Sequence, residues 1–272
     1  MLSYLSAFML LWIMQPRLLY KPTHALQTTP ASHNVAYEEL WIPAVESKQE
    51  KLHGWWMPRS KAPFGTLIYF HGAGLNIGYN VTQAFWMRQL GFNVLLLEYR
   101  GYGLSGGDFP TERSLYQDAE TALRYVTDVQ QIPEHEVFVY GHSLGGAIAI
   151  DLASKHPTLA GLIVHNSFTT MAEMVARSSY ARWFPVQWIL TQRFESLAKV
   201  AKLEVPMMLI HAEKDPLVPV EMGKRLYRAA KSSSKKLVVV ETNLHHNAAD
   251  VYKNEHHLAK IKYFVMSVLR AG

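Results

Sequence analysis

The stretch that most constrains this chain is Val137–Ile150, VFVYGHSLGGAIAI. Four β-favouring residues run straight into Gly141-His142-Ser143-Leu144-Gly145, and a helical pattern begins at once. A G-x-S-x-G pentapeptide between a strand and a helix has the form of a nucleophile elbow, a sharp turn that lifts a serine hydroxyl clear of a sheet. Small residues flank the serine because strand and helix crowd the turn and exclude a Cβ. Ser143 is therefore the candidate nucleophile, and the remaining residues have to supply its partners.

Apolar runs of strand length recur on both sides of this motif. Gly65–Phe70, Val94–Tyr99, Leu162–His165, Met207–His211 and Leu237–Val240 lack polar alternation, as suits strands buried on both faces of a sheet. Val35–Pro43 and Leu52–Met57 read as two more strands. Helical patterns are read over Val81–Leu90, Ser114–Val129, the segment after Ser143 up to Pro157, Val220–Ala230 and Glu255–Leu269. Ser114 and Gln117 stand in capping-box spacing. Strands alternating with helices of this length predict an α/β fold, a mostly parallel sheet covered on both faces. The 272 residues, 49% hydrophobic and 18% charged, fit one large domain.

Several function classes fall away on composition. Cysteine is absent, which excludes disulfides, thiolate metal sites and a cysteine nucleophile. The net charge of +5 is mild, and no basic stripe is interleaved with aromatics, so nucleic acid is not an expected partner. Lys231, Lys235 and Lys236, set around three serines, read as a solvated loop. His245-His246 and His256-His257 are adjacent pairs whose members face different ways. With no H-x-x-x-H arrangement, no metal and no cofactor are expected.

Residues 1–20 open with MLSYLSAFMLLWIMQP, uncharged and mostly apolar. The run is shorter than the roughly 20 residues of a spanning helix, and it lacks the basic start of a signal peptide. It reads as a short membrane anchor, the alternative being an apolar helix docked on the domain. Arg17 and Lys21 follow the run and place the domain on the cytoplasmic face. A second anomaly is the insertion at about 167–202, rich in aromatics and broken by Pro185, which reads as a cap.

A serine hydroxyl needs a base to take its proton, and that base has to be oriented. Asp215 follows the apolar run Met207–His211, and His245 and His246 follow Leu237–Val240. Catalytic groups in open parallel sheets gather at the carboxyl ends of strands, so all three are expected on one edge with Ser143. Backbone N–H groups of Leu144 and Ala73 are the expected donors to an acyl oxyanion. Phe168, Trp183, Phe184 and Trp188 are candidates for an apolar acyl pocket, with core packing of the cap as the other reading.

The set FHGAGLNIG, LEYRGYGLSGG, YGHSLGGAIA, HAEKDPLVP and LHHN resembles the α/β-hydrolase superfamily, and within it the membrane-anchored α/β-hydrolase-domain serine hydrolases and their bacterial relatives. The resemblance covers nearly the whole chain. It implies an α/β-hydrolase fold over residues 21–272, with an eight-stranded sheet and a small helical cap. It also implies Ser143 as nucleophile, Asp215 as orienting acid and His246, which precedes Asn247, as base. His245 stands where a Gly is usual, Ala73 where an Asn is common, and Ala248 where an Asp often follows. None of these departures touches the triad.

The expected chemistry is two-step acyl transfer to water, with His246 as base and acid and Asp215 holding its tautomer. Activity then falls as pH drops through roughly 6 to 7, where a histidine charges. Carboxylic esters or thioesters of apolar acyl groups, lipids or acylated proteins among them, are the expected substrates. A serine aminopeptidase-like enzyme and a non-catalytic binding protein of the same fold are the rival readings.

Overall fold

The apolar runs fold into a sheet whose central strands expose almost nothing. The computed structural model describes residues 2–45, 49–59, 62–178, 189–241 and 255–271. Helix α1 (Leu2–Leu19) leads into a two-residue strand β1 (Lys21–Pro22), followed by β2 (Glu38–Pro43), β3 (Lys51–Met57), β4 (Thr66–Phe70) and β5 (Gly74–Leu75). Next come α2 (Val81–Leu90), β6 (Asn93–Leu97), α3 (Glu112–Arg124), β7 (Val137–His142), α4 (Leu144–Lys155) and β8 (Gly161–His165). The chain continues through α5 (Met171–Ala176), α6 (Ser196–Val200), β9 (Met207–Ala212), α7 (Val220–Ala229), β10 (Lys235–Val240) and α8 (Glu255–Ala271).

Among the described residues the main sheet has eight strands in the order β10-β9-β8-β7-β4-β6-β3-β2. Strand β3 runs antiparallel to β2 and β6, and every other pair is parallel. Helices α3, α4 and α7 cover one face and α2 and α8 the other. That is why TLIYF in β4 and VFVYGH in β7 are buried at every position: alternation is lost where both faces are covered. Each fully buried large apolar side chain contributes roughly 1.5–3 kcal/mol, so β4, β7, β8 and β9 form a stiff floor for the loops at their carboxyl ends.

Three expectations need correction. Helix α3 starts at Glu112, and its capping box is Thr111 with Ser114 rather than Ser114 with Gln117. Thr111 accepts from the Ser114 N–H, and Ser114 Oγ accepts from the Thr111 N–H at 2.8 Å. The helix then widens into a π turn over Tyr125–Val129. Lys235 and Lys236 lie in β10, and Lys235 Nζ donates to the Tyr227 and Ala230 carbonyls at the end of α7. A cation there satisfies helix-end carbonyls and opposes the negative end of the helix dipole.

No described helix is long and apolar enough to cross a membrane. Helix α1 instead docks on the cap's return segment: Gln15, 6% exposed, donates to the Ile189 carbonyl and accepts from the Thr191 N–H. Its Met9, Leu10, Trp12, Ile13 and Leu18 are all more than half exposed. Helices α5 and α6 lie within the 167–202 insertion, whose middle, 179–188, is outside the described residues.

Candidate active site

Ser143 occupies the turn between β7 and α4 with φ 54° and ψ −116°. A non-glycine residue there carries strain on the order of 1–3 kcal/mol and persists only where its surroundings over-determine it. They do: the Ser143 N–H donates to the His165 carbonyl at 2.9 Å, while its own carbonyl accepts from Ser167 Oγ at 2.7 Å and Gly146 N at 3.0 Å. The glycines follow from close approach. A Cβ on Gly145 would lie 2.2 Å from the Phe70 carbonyl oxygen, and one on Gly141 would lie 2.1 Å from that of Gly145. Strand, turn and helix therefore interlock only without side chains at these two positions.

The loop after β4 runs past the serine. A Cβ on Gly72 would sit 3.5 Å from the Ser143 Cβ, so the backbone of His71–Ala73 is adjacent to the nucleophile. Its carbonyls are all taken up internally. Tyr99 Oη donates to the His71 carbonyl at 2.9 Å, His71 Nδ1 to that of Gly72 at 2.8 Å, and Tyr102 Oη to that of Ala73 at 2.7 Å. Burial pushes both phenols well above their ordinary range, so they stay protonated donors. The Lys21 N–H adds a second bond to the Ala73 carbonyl at 3.0 Å, within the short β1–β5 pairing. Leu144 opens α4, where the first N–H groups of a helix have no intrahelical acceptor.

Asp215 lies beyond β9, in a turn on the same edge as Ser143, with β8 between β7 and β9. It is 8% exposed, and its Oδ1 accepts from the Leu217 and Val218 N–H groups, both at 2.8 Å. His211 Nε2 donates to the Val218 carbonyl at 2.9 Å and closes the turn. Strand β10 ends at this edge too, but His245 and His246 fall outside the described residues, as do Trp183, Phe184 and Trp188. Phe168 is 3% exposed and packs edge-on against Phe194 at 6.3 Å, inside the core that also holds Leu144 and Met171.

Among the described residues no cluster of His, Asp and Glu could hold a metal ion. Two surface cavities of about 470 and 480 Å³ lie elsewhere: one beside Glu112, Tyr116 and Lys155, the other beside Arg17, Lys21 and Phe109. Neither is lined by Ser143 or Asp215. Two further groups at the site escaped sequence reasoning. Asn166, at φ 47°, bridges to β9 by donating its N–H to the Ile210 carbonyl and accepting from Ala212 N. Glu98, fully buried, bonds both His71 and Ile77. The only sequence signal for Glu98 was a carboxylate closing an apolar strand run.

Comparison with known proteins identifies related chains and a shared fold. The family profile described as serine aminopeptidase, S33, matches residues 61–199 and 186–251. Protein bem46 of Schizosaccharomyces pombe is 31% identical over 220 residues, covering 76% of this chain and 70% of that protein. A Saccharomyces cerevisiae protein described as an uncharacterized membrane protein is 30% identical, covering 77% of this chain and 73% of its own length. Among solved structures, the Pyrococcus furiosus esterase Pf2001 superposes with a TM-score of 0.75 at 21% identity, covering 92% of this chain and 99% of that one.

Proposed function

We propose, from the premise that this chain belongs to the α/β-hydrolase superfamily and to the family described as serine aminopeptidase, S33, that it is a serine hydrolase. Its substrates are carboxylic esters or thioesters of apolar acyl groups. The observation that carries the reading is the strained Ser143 backbone at the carboxyl edge of a parallel sheet, with the His71–Ala73 loop against it and the fixed Asp215 turn on the same edge. Such strain clusters where a mechanism uses it.

In this mechanism His246 takes the Ser143 proton as Oγ bonds to the substrate carbonyl carbon, whose π electrons move to oxygen. The Ala73 and Leu144 N–H groups hold that oxyanion; one such donor is worth about two to three orders of magnitude in rate. The intermediate collapses, the alcohol or thiol leaves with the proton from His246, and an acyl-Ser143 ester remains. Water, deprotonated by His246, repeats the sequence and releases the acid. Asp215 keeps the imidazole in the required tautomer and stabilises its charged form.

The acyl group is assigned to the aromatic insertion, with Trp183, Phe184 and Trp188 as its apolar lining, whereas Phe168 belongs to the core. Association with a membrane surface goes with this substrate class. The exposed apolar residues of α1, followed by Arg17 and Lys21, suit a short anchor held against an anionic lipid surface. The family description favours peptidase activity as the second reading. A panel of p-nitrophenyl esters from acetyl to palmitoyl, run beside aminoacyl p-nitroanilides, decides between them. The proposal predicts Ser143-dependent ester turnover that rises with acyl length and exceeds anilide turnover. Faster anilide cleavage would select the peptidase, and no Ser143-dependent turnover of either would refute both.

A further inference from the structure

Glu98 is a carboxylate with no exposed surface at the end of an apolar strand, a placement that is costly unless the group is fully bonded. It is bonded at both oxygens. Oε1 lies 2.9 Å from His71 Nε2, and Oε2 accepts from the Ile77 N–H at 2.9 Å. One side chain thus ties together the two ends of the loop that passes Ser143. The next link is His71 itself, whose Nδ1 donates to the Gly72 carbonyl at 2.8 Å. A trans peptide is planar, with its N–H directed opposite to its C=O. Holding the Gly72 carbonyl therefore aims the N–H of Ala73 the other way. The Ala73 carbonyl is fixed in turn by Tyr102 Oη and Lys21 N, so the Ala73 residue is held on both sides.

We infer that Glu98 is a positioning residue for the oxyanion donor at Ala73, acting through the His71 ring and the Gly72–Ala73 peptide, with Tyr102 completing the hold; this rests on the serine-hydrolase reading of Ser143. The contribution is geometric. Oxyanion donors act only within about 2.7–3.1 Å of where the charge develops, and a rotated peptide loses that fit. Glutamine at position 98 preserves the hold. Its amide N–H donates to Nε2, its oxygen accepts from Ile77 N, and the ring keeps its proton on Nδ1. Alanine preserves neither bond.

The test uses the full chain and three variants, Glu98→Ala, Glu98→Gln and Tyr102→Phe, assayed on an ester and on the matching thionoester. Thiocarbonyl sulfur is a weak hydrogen-bond acceptor and gains little from an oxyanion donor. Glu98→Ala is expected to lower kcat on the ester by roughly tenfold to a hundredfold with KM nearly unchanged, and to erase much of the preference for ester over thionoester. Glu98→Gln restores both to within about threefold of wild type, by the bonding just described. Tyr102→Phe loses several-fold in kcat with the same selectivity change, and it carries the test if Glu98→Ala does not fold. Folded variants with wild-type kcat and unchanged ester preference, beside a wild type whose turnover needs Ser143, would overturn this inference alone. Glu98→Gln as impaired as Glu98→Ala would do the same. A wild type without Ser143-dependent turnover would overturn the hydrolase reading and the inference with it.

Discussion

Gln15 Nε2 donates to the Ile189 carbonyl at 2.6 Å across 174 residues of sequence, joining the N-terminal helix to the return segment of the cap. The same side chain accepts from the Thr191 N–H at 2.7 Å. Five residues on, Tyr20 Oη donates to Gln192 Oε1 at 2.9 Å. The segment that follows α1 then pairs with the loop beside Ser143. The N-terminal segment is therefore built into the fold around the site.

Gln15→Ala removes the partner of the carbonyl of buried Ile189 and of the Thr191 N–H, which water can reach. At about 1–3 kcal/mol for an unsatisfied buried group, the expected loss is roughly 1–3 kcal/mol of unfolding free energy by urea titration. Hydrogen exchange at Thr191 should rise with it. Unchanged stability and exchange would mean that α1 is not held there in solution.

Gly145→Ala should be far more damaging than Gly74→Ala. The new Cβ at 145 would sit 2.2 Å from the Phe70 oxygen and 2.6 Å from that of His71, both backbone atoms that cannot swing away, whereas position 74 has nothing within 4 Å. Overpacking of this kind costs typically 1–3 kcal/mol and more where backbone must move. The prediction is at least about 3 kcal/mol for Gly145→Ala and within about 0.5 kcal/mol for Gly74→Ala, read from denaturant midpoints. Equal effects at the two positions would contradict the interlocked elbow.

Asp118 gives stability a pH dependence of unusual sign. Its buried carboxyl is pushed by desolvation from the ordinary 3.8 up to about 6, although Arg100 donates to it from its backbone N, Nε and Nη2. Between about pH 4 and 6 the native state then binds more protons than the unfolded chain, so the Asp118 contribution falls as pH rises through that window. A shift of about two units corresponds to roughly 3 kcal/mol. The difference in unfolding free energy between wild type and Asp118→Asn should shrink across pH 4 to 6 and stay level from 7 to 8. A level difference throughout would show that the Arg100 pairing outweighs burial.

Much of this fold was legible because its signals are local. Apolar runs such as Thr66–Phe70 and Met207–Ala212 announce buried strands, and Gly141–Gly145 announces its turn, whatever lies elsewhere. The misreadings have a common cause. Lys235 looked solvated because its acceptors, the carbonyls of Tyr227 and Ala230, come from the packing of α7 beside β10. The helix start at Glu112 was missed because Thr111, not Ser114, has the extended backbone of a cap. The roles of Glu98 and the Lys21–Thr23 strap show in no local pattern, since their partners between His71 and Ile77 meet them only in the folded chain.

The whole mechanism turns on Ser143 as nucleophile. Fluorophosphonate labelling of the full chain tests this, with mass-spectrometric mapping of the modified residue and a competing long-chain acyl ester. One label is expected, on Ser143, lost in Ser143→Ala and slowed by the ester. An unlabelled wild type, or a label on any other residue, would contradict it.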